Sequence, residues 1–167
     1  ARDMALDYIT FALDGMRPRQ VTDMHDMTDK AAARLKSDGW KMVETTGFIQ
    51  LIGPLWQRPV DGSFEYGLLT EDKHHNRRGL VQGGVLMTFA DRTCGMIARL
   101  VTGKPTMATA QLDVHFMEAG KIGELLVSRP RVVRATRSLV FVSTEVSADK
   151  RVLAMANGVF KILKTET

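Results

Sequence analysis

The spacing of apolar residues along the chain changes character several times, and each change predicts a different element. Ala5, Tyr8, Ile9, Ala12, Leu13 and Met16 fall on one helical face, and Pro18 ends that run. A second helix is expected from Thr28, an N-cap type of residue, through Ala31 to Leu35, stopping near Gly39. Together they form an N-terminal helical extension over residues 1–45, distinct from a main domain over residues 46–167.

From Gly47 the pattern shortens. Phe48 to Trp56 reads as an apolar strand, a turn is expected around Pro59, Asp61 and Gly62, and Ser63 to Leu69 reads as the hairpin partner. A polar loop, Thr70 to Arg78, leads to Gly83 and Gly84. Val85 to Leu100 is then apolar almost all the way round, the signature of a buried helix, and Gly103-Lys104-Pro105 closes it.

The last third is strand-like. Leu112, Val114 and Phe116 alternate with Gln111, Asp113 and His115 within Thr109 to Met117. Leu125 to Ala135 follows, with Pro130 marking a bulge or an edge position. Ser138 to Ser147 and Val152 to Leu163 complete the series across a turn at Ala148 to Arg151. Sequential strands most simply pair as an antiparallel meander. The fold class is therefore α+β: one long central helix against a curved antiparallel sheet of about six strands.

Composition narrows the function classes. At 167 residues the chain can bury a sizeable core without metals or disulfides. Its single cysteine, Cys94, permits no internal disulfide, and His25, His74, His75 and His115 have no metal-ligand spacing, so no metal and no cofactor is expected. No stretch has the length and apolarity of a membrane span, and Arg2, Asp3, Asp7 and Asp14 interrupt the N-terminus where a secretory signal would be charge-free. A cytoplasmic protein is the expectation. The net charge of +4 comes from dispersed basic residues, and aromatics make up only 7%, so nucleic acid is not an expected partner. A small polyanion such as CoA is compatible with the charge.

Candidate chemistry concentrates between His75 and Gly95. Gly83 and Gly84 open the long helix, where backbone N–H groups lack internal partners and sit at the positive end of the dipole. Without a Cβ, a ligand oxygen can approach them, as an oxyanion hole requires; a tight strand-to-helix corner would use the same glycines. Asp91 is the one carboxylate between Val85 and Leu100. A carboxylate desolvated in an apolar helix is a candidate base or nucleophile, whereas pairing with Arg92 or Arg99 would make it structural. Gly83 and Asp91 lie about 12 Å apart along the helix, too far to share one carbonyl within a chain. If they cooperate, the site is composite and the protein is a homodimer or a dimer of dimers.

The run Asn76-Arg77-Arg78-Gly79-Leu80-Val81-Gln82-Gly83-Gly84, followed by Phe89-Ala90-Asp91, resembles the hotdog-fold thioesterases of the phenylacetate-pathway (PaaI-like) type. Their signature is Asn-x-x-Gly-x-x-His-Gly-Gly, six residues, then Asp. Thr109 to Met117 and Lys121 to Glu124 are similar to the family's central strand and the turn after it, so the resemblance spans about Gly47 to Leu163. It implies acyl-CoA thioester hydrolysis. Catalytic roles pass by position to Asp91, Asn76, Gly83 and Thr109: the Gly83 N–H and Asn76 side chain polarise the carbonyl, the partner's Asp91 acts as general base or nucleophile, and Thr109 holds water or the Asp. Substrate contacts are expected from Gln82, Gly84, Met87 and His75, with Phe89 and Met96 either beside the acyl chain or in the core.

Gln82 departs from the family by replacing its His, and glutamine cannot titrate near neutral pH. Loop positioning is the role it can take over; proton transfer is not. The alternative reading is accordingly a non-catalytic acyl-CoA binding or sensing protein. A hotdog dehydratase ranks lower, since its Asp-x-Asn-Pro-x-His type of run is absent. His74 and His75 are expected in solvent, Cys94 in the core.

Overall fold

The computed structural model describes residues 30–164. The expected helical face of Ala5 to Met16, and Thr28, lie outside them. The described residues fall into two compact units, the first ending at Trp40 and the second beginning at Lys41. In the first, residues 30–37 form helix α1, and the turn after it uses Gly39 at a φ of +84°, where a side chain would be strained.

The second unit begins with β1 (Lys41–Val43), α2 (Gly47–Ile52), β2 (Leu55–Val60) and β3 (Ser63–Leu69). After a 3-10 turn at Asp72–His74 comes the long helix α3 (Gly83–Thr102), then β4 (Met107–Phe116), β5 (Leu125–Ser128), β6 (Arg131–Ala135), β7 (Leu139–Ala148) and β8 (Arg151–Ile162). One sheet contains all eight strands in the order β1-β2-β3-β5-β7-β8-β4, with β6 also paired to β7. All pairings are antiparallel. β5 and β6 are halves of the expected strand over Leu125 to Ala135, divided at Arg129-Pro130.

Several expectations are corrected. The apolar run from Phe48 to Trp56 is not one strand: α2 takes its first half, and the Gly53 N–H closes that helix on the Ile49 carbonyl. Pro54 cannot continue the helix, and the strand starts at Leu55. The hairpin turn is Asp61-Gly62, both at positive φ, and Pro59 sits inside β2 opposite Phe64. The last strands are not a simple meander, because β4 pairs with β8 at the far edge and β5 lies between β3 and β7. Gly103, left-handed at φ +65°, ends α3 and releases the chain toward that edge.

The inner sheet face wraps α3. Leu86, Phe89 and Ala90 pack against Leu55, Leu68, Leu126, Val146 and Leu153; Cys94, Ile97 and Ala98 pack against Val140, Val142 and Phe160. Burying each large aliphatic or aromatic side chain contributes about 1.5–3 kcal/mol. Yet α3 is not covered all round: Met87, Leu100 and Val101 are exposed. The apolar pattern of the helix thus exceeds what this chain's own core buries.

Candidate active site

Loop residues 75–82 deliver the start of α3. The Asn76 N–H donates to the Leu80 carbonyl at 2.7 Å, and the Gly79 N–H to the Asn76 carbonyl at 2.9 Å. Asn76 Oδ1 accepts from the Arg78 and Leu80 N–H groups at 2.8 and 3.3 Å, an Asx-type turn that leaves its amide NH2 to donate elsewhere. Gly79 adopts φ +73°, which explains the glycine three residues after the asparagine. The Gln82 N–H then donates to the His74 carbonyl, and the Val81 N–H to that of Gly120, both at 2.9 Å.

Gln82 is the N-cap of α3: its side-chain oxygen accepts from the Gly84 N–H. Gly83, the first helical residue, has an N–H for which the helix supplies no acceptor. A Cβ on Gly83 would stand 3.4 Å from the ring of Phe116, so the end of β4 lies against the helix N-terminus. Phe116 was not among the expected site residues; its signal was the inward phase it shares with Leu112 and Val114.

Asp91 is half-buried in the middle of α3, and Thr109 Oγ1 on β4 donates to its Oδ1 at 2.7 Å. No ion pair joins Asp91 to Arg92 or Arg99 among the described residues. The structural alternative of an arginine-paired Asp91 is therefore corrected. A bulge at Ala110 makes the Thr109 contact possible. Gln111 pairs with Val159 on the outer face, whereas Thr109 pairs with Phe160 on the inner one. Strict alternation would have turned Thr109 outward with Gln111, Asp113 and His115; the extra residue resets the phase.

The structure separates the remaining residues. Phe89 is buried in the core at 1% exposure, whereas Met87 is exposed near the start of α3. His75 is exposed, its Nδ1 against the Asp72 carbonyl. His74 contradicts the expectation of solvent: it is buried, its Nε2 meets the Ile52 carbonyl at 2.7 Å, and its Nδ1 accepts from the Glu71 N–H at 2.8 Å. Those contacts fix the neutral tautomer with the proton on Nε2, and burial holds its pKa below the ordinary value. Cys94 is buried, and desolvation, with the nearby charge of Asp91, pushes its thiol up to about 12.

Two further polar features escaped sequence reading. The hydroxyls of Thr93 and Ser128 are 2.7 Å apart and those of Ser128 and Thr144 2.8 Å apart, a buried chain tying α3 to β5 and β7 just beyond Asp91. Glu65 on β3, 1% exposed, is held by Arg58 and by Arg129 Nε at 2.6 Å. Burial alone would raise this carboxyl, but the two guanidiniums outweigh it and hold it below the ordinary carboxylate range. Among the described residues no group of three His, Cys, Asp or Glu is placed to hold a metal, and no helix is long and apolar enough to cross a membrane.

Comparison with known proteins finds relatives of the same fold. Residues 78–155 match the family model of the Thioesterase superfamily. A provisionally assigned esterase of Pseudomonas aeruginosa is 27% identical over 72% of this chain and 92% of its own length. A provisionally assigned thioesterase of Ralstonia eutropha JMP134, related to phenylacetic acid degradation, is also 27% identical; the match covers 72% of this chain and 92% of that one, with a TM-score of 0.64. The zebrafish thioesterase superfamily member 2 shares the fold at 20% identity and a TM-score of 0.65, over 72% of this chain and 89% of its own. With the eight-stranded antiparallel sheet curled around α3, these matches identify residues 78–155 as a Thioesterase superfamily domain of the hotdog fold.

Proposed function

We propose that the protein is an acyl-CoA thioesterase whose site is shared between two copies of the chain, with Asp91 as the reacting carboxylate. Thioester hydrolysis is the activity class to which the superfamily domain belongs. The observation that carries the finer reading is the Thr109–Asp91 hydrogen bond. It orients a carboxylate that forms no ion pair among the described residues, on the same helix whose first N–H has no helical acceptor and can polarise a carbonyl.

In this reading the thioester oxygen lies at the Gly83 N–H, with the Asn76 amide as a second donor, and their partial positive charge stabilises the developing oxyanion. Asp91 of the partner subunit then either removes a proton from the attacking water or attacks the carbonyl itself. Collapse of the tetrahedral adduct expels the CoA thiolate. In the first case the thiolate takes up the proton that Asp91 removed from water; in the second, water then hydrolyses the Asp91–acyl anhydride, releasing the acid and protonating the thiolate. The separation of Gly83 and Asp91, about 12 Å along α3, favours the shared site. So do the exposed apolar side chains of Met87 and Phe116 and the outer edge of β4, which no other strand among the described residues pairs.

Gln82 fits this mechanism as the cap that fixes the helix N-terminus. No proton transfer is asked of it. The test is CoA release from a panel of aromatic, branched and medium-chain acyl-CoAs by the wild type and Asp91→Asn. Turnover that the variant loses supports the reading. Binding of acyl-CoAs without any turnover by the wild type would leave the non-catalytic binding protein instead.

A further inference from the structure

Beside Asp91, the next stripe of α3 faces a cleft of about 740 Å³ closed on the other side by β2 and β3. Phe64, Met96, Leu100 and Pro105 give it apolar walls, while Arg92, Arg99, Tyr66 and Gln57 supply polar ones. Gln57 and Tyr66 are directly paired across the β2–β3 hairpin, on the face that looks toward the helix.

The two arginines are the unusual feature. Neither has a carboxylate partner among the described residues. Arg99 spends its Nε on the Pro105 carbonyl at 3.1 Å. Its guanidinium lies over Gly95, where a Cβ would stand only 3.1 Å from Nη1, so the glycine makes room for it. Arg92 is half-buried, and its Nε is buried with no hydrogen-bond partner. A buried N–H without an acceptor is costly, and the apolar wall and the second arginine beside it supply none. Burial pushes the Tyr66 phenol up, and the nearby charge of Arg92 opposes that rise. An anionic group entering the cleft would meet two fork-shaped donors and a chain-length apolar wall together.

We infer that this cleft receives the far end of the acyl group and that this end is a carboxylate, so that the preferred substrates are CoA half-thioesters of dicarboxylic acids. The inference rests on the thioesterase reading for its substrate and on the cleft for its specificity. Along α3, Arg99 lies about 10 Å beyond Arg92, and both side chains line the one cleft, so the terminal carboxylate of a medium-length chain is received between them.

The experiment compares kcat/KM for ω-carboxyl acyl-CoAs, succinyl through sebacoyl, with methyl-terminated chains of equal length, in wild type, Arg92→Gln and Arg92→Lys. A charge-assisted hydrogen bond predicts that the carboxylated chain is favoured by about tenfold to a hundredfold at the best length. Arg92→Gln should bring that ratio close to one, mainly through KM, and Arg92→Lys should restore part of it. Free adipate titrated calorimetrically into wild type and Arg92→Gln reads the cleft without turnover. Adipate binding that the variant loses supports the cleft even if every thioester survives intact. Brisk hydrolysis of neutral acyl-CoAs with no carboxylate preference overturns the inference and leaves the thioesterase reading standing. So does a variant that alters the oligomeric state while keeping the ratio, since Arg92 would then serve a subunit contact.

Discussion

Thr109 Oγ1 and Asp91 Oδ1 are 2.7 Å apart although their residues belong to an edge strand and to the middle of the central helix. The contact exists because the bulge at Ala110 turns Thr109 toward α3. One hydrogen bond therefore joins the position of an edge strand to the orientation of the candidate reacting group.

Removing that bond should lower activity without unfolding the protein. Thr109→Val keeps the β-branched shape on an exposed strand position and deletes only the hydroxyl. A catalytic carboxylate free to rotate by about an ångström costs on the order of a hundredfold in rate. The expected result is a kcat for Thr109→Val down by roughly tenfold to a hundredfold, near-wild-type activity for Thr109→Ser, and no measurable turnover for Asp91→Asn. Equal activity in Thr109→Val and wild type would show that the hydrogen bond does not position the reacting group.

Capping makes a separate prediction for Gln82. Its side chain satisfies the Gly84 N–H and sets the entry of α3. Losing such a cap costs about 1 kcal/mol, or a fall of about 2–4 °C in Tm for a domain of this size. Gln82→Ala should show that fall, together with a higher KM, because the neighbouring Gly83 N–H is less well held. The pH–rate profile should keep the shape of the wild type, since no proton moves through this residue. A profile altered by Gln82→Ala would reopen a chemical role.

Much of this was legible in the chain. The motif from Asn76 to Asp91 placed the helix N-terminus, because Gly79 answers to backbone φ and Gly83-Gly84 to a helix start, and it put Asp91 on that helix. Apolar alternation fixed the inward face of β4 from Leu112 to Phe116. What remained hidden depended on pairing across distance. Period-two reasoning cannot see a bulge until the partner strand is known, so the inward turn of Thr109 was invisible as geometry. The position of β4 beside β8 was missed because neighbours in sequence are only usually neighbours in a sheet. α2 was missed because six apolar residues ending in Gly53-Pro54 satisfy strand and helix patterns alike. His74 looked like a solvated loop residue until the Ile52 carbonyl came to meet it.

The stability of the fold should descend in two stages on acidification. Burial holds His74 below its ordinary pKa of 6.5, so the unfolded chain binds that proton more readily than the folded one. Its contribution is complete above pH 6.5 and is lost as the pH falls from there toward the folded value. Glu65 is held below its ordinary 4.5 by the two guanidiniums; its contribution is complete above that value and is lost as the pH falls through the folded pKa. Thermal melts from about pH 8 to about pH 3 should show both descents. His74→Gln should flatten the upper stage and Glu65→Gln the lower. A wild-type Tm constant between about pH 7 and pH 5 would contradict the assignment of the upper stage to His74.

Cys94 reports on the same core from another side. Its thiol is buried and pushed up to about 12, so almost none is thiolate at neutral pH. Alkylation of the native protein should be slow, with a rate that follows global unfolding as denaturant is added. Fast labelling of the folded chain would place an opening in α3 next to Asp91.

The shared site can be tested by complementation, because the two half-sites can be disabled separately. Gly83 is the first residue of α3, a position where proline is well tolerated, and Gln82 before it already has the extended conformation that proline demands. Gly83→Pro thus deletes the N–H while preserving the helix. Asp91→Asn deletes the carboxylate. Each variant alone should be inactive. In a mixed dimer, one site combines proline with asparagine and is dead, while the other combines the intact glycine of one chain with the intact aspartate of its partner. Such a dimer should recover about half the wild-type activity, one live site of two. If both groups acted within one chain, every site would carry one lesion, and mixing the variants would restore nothing.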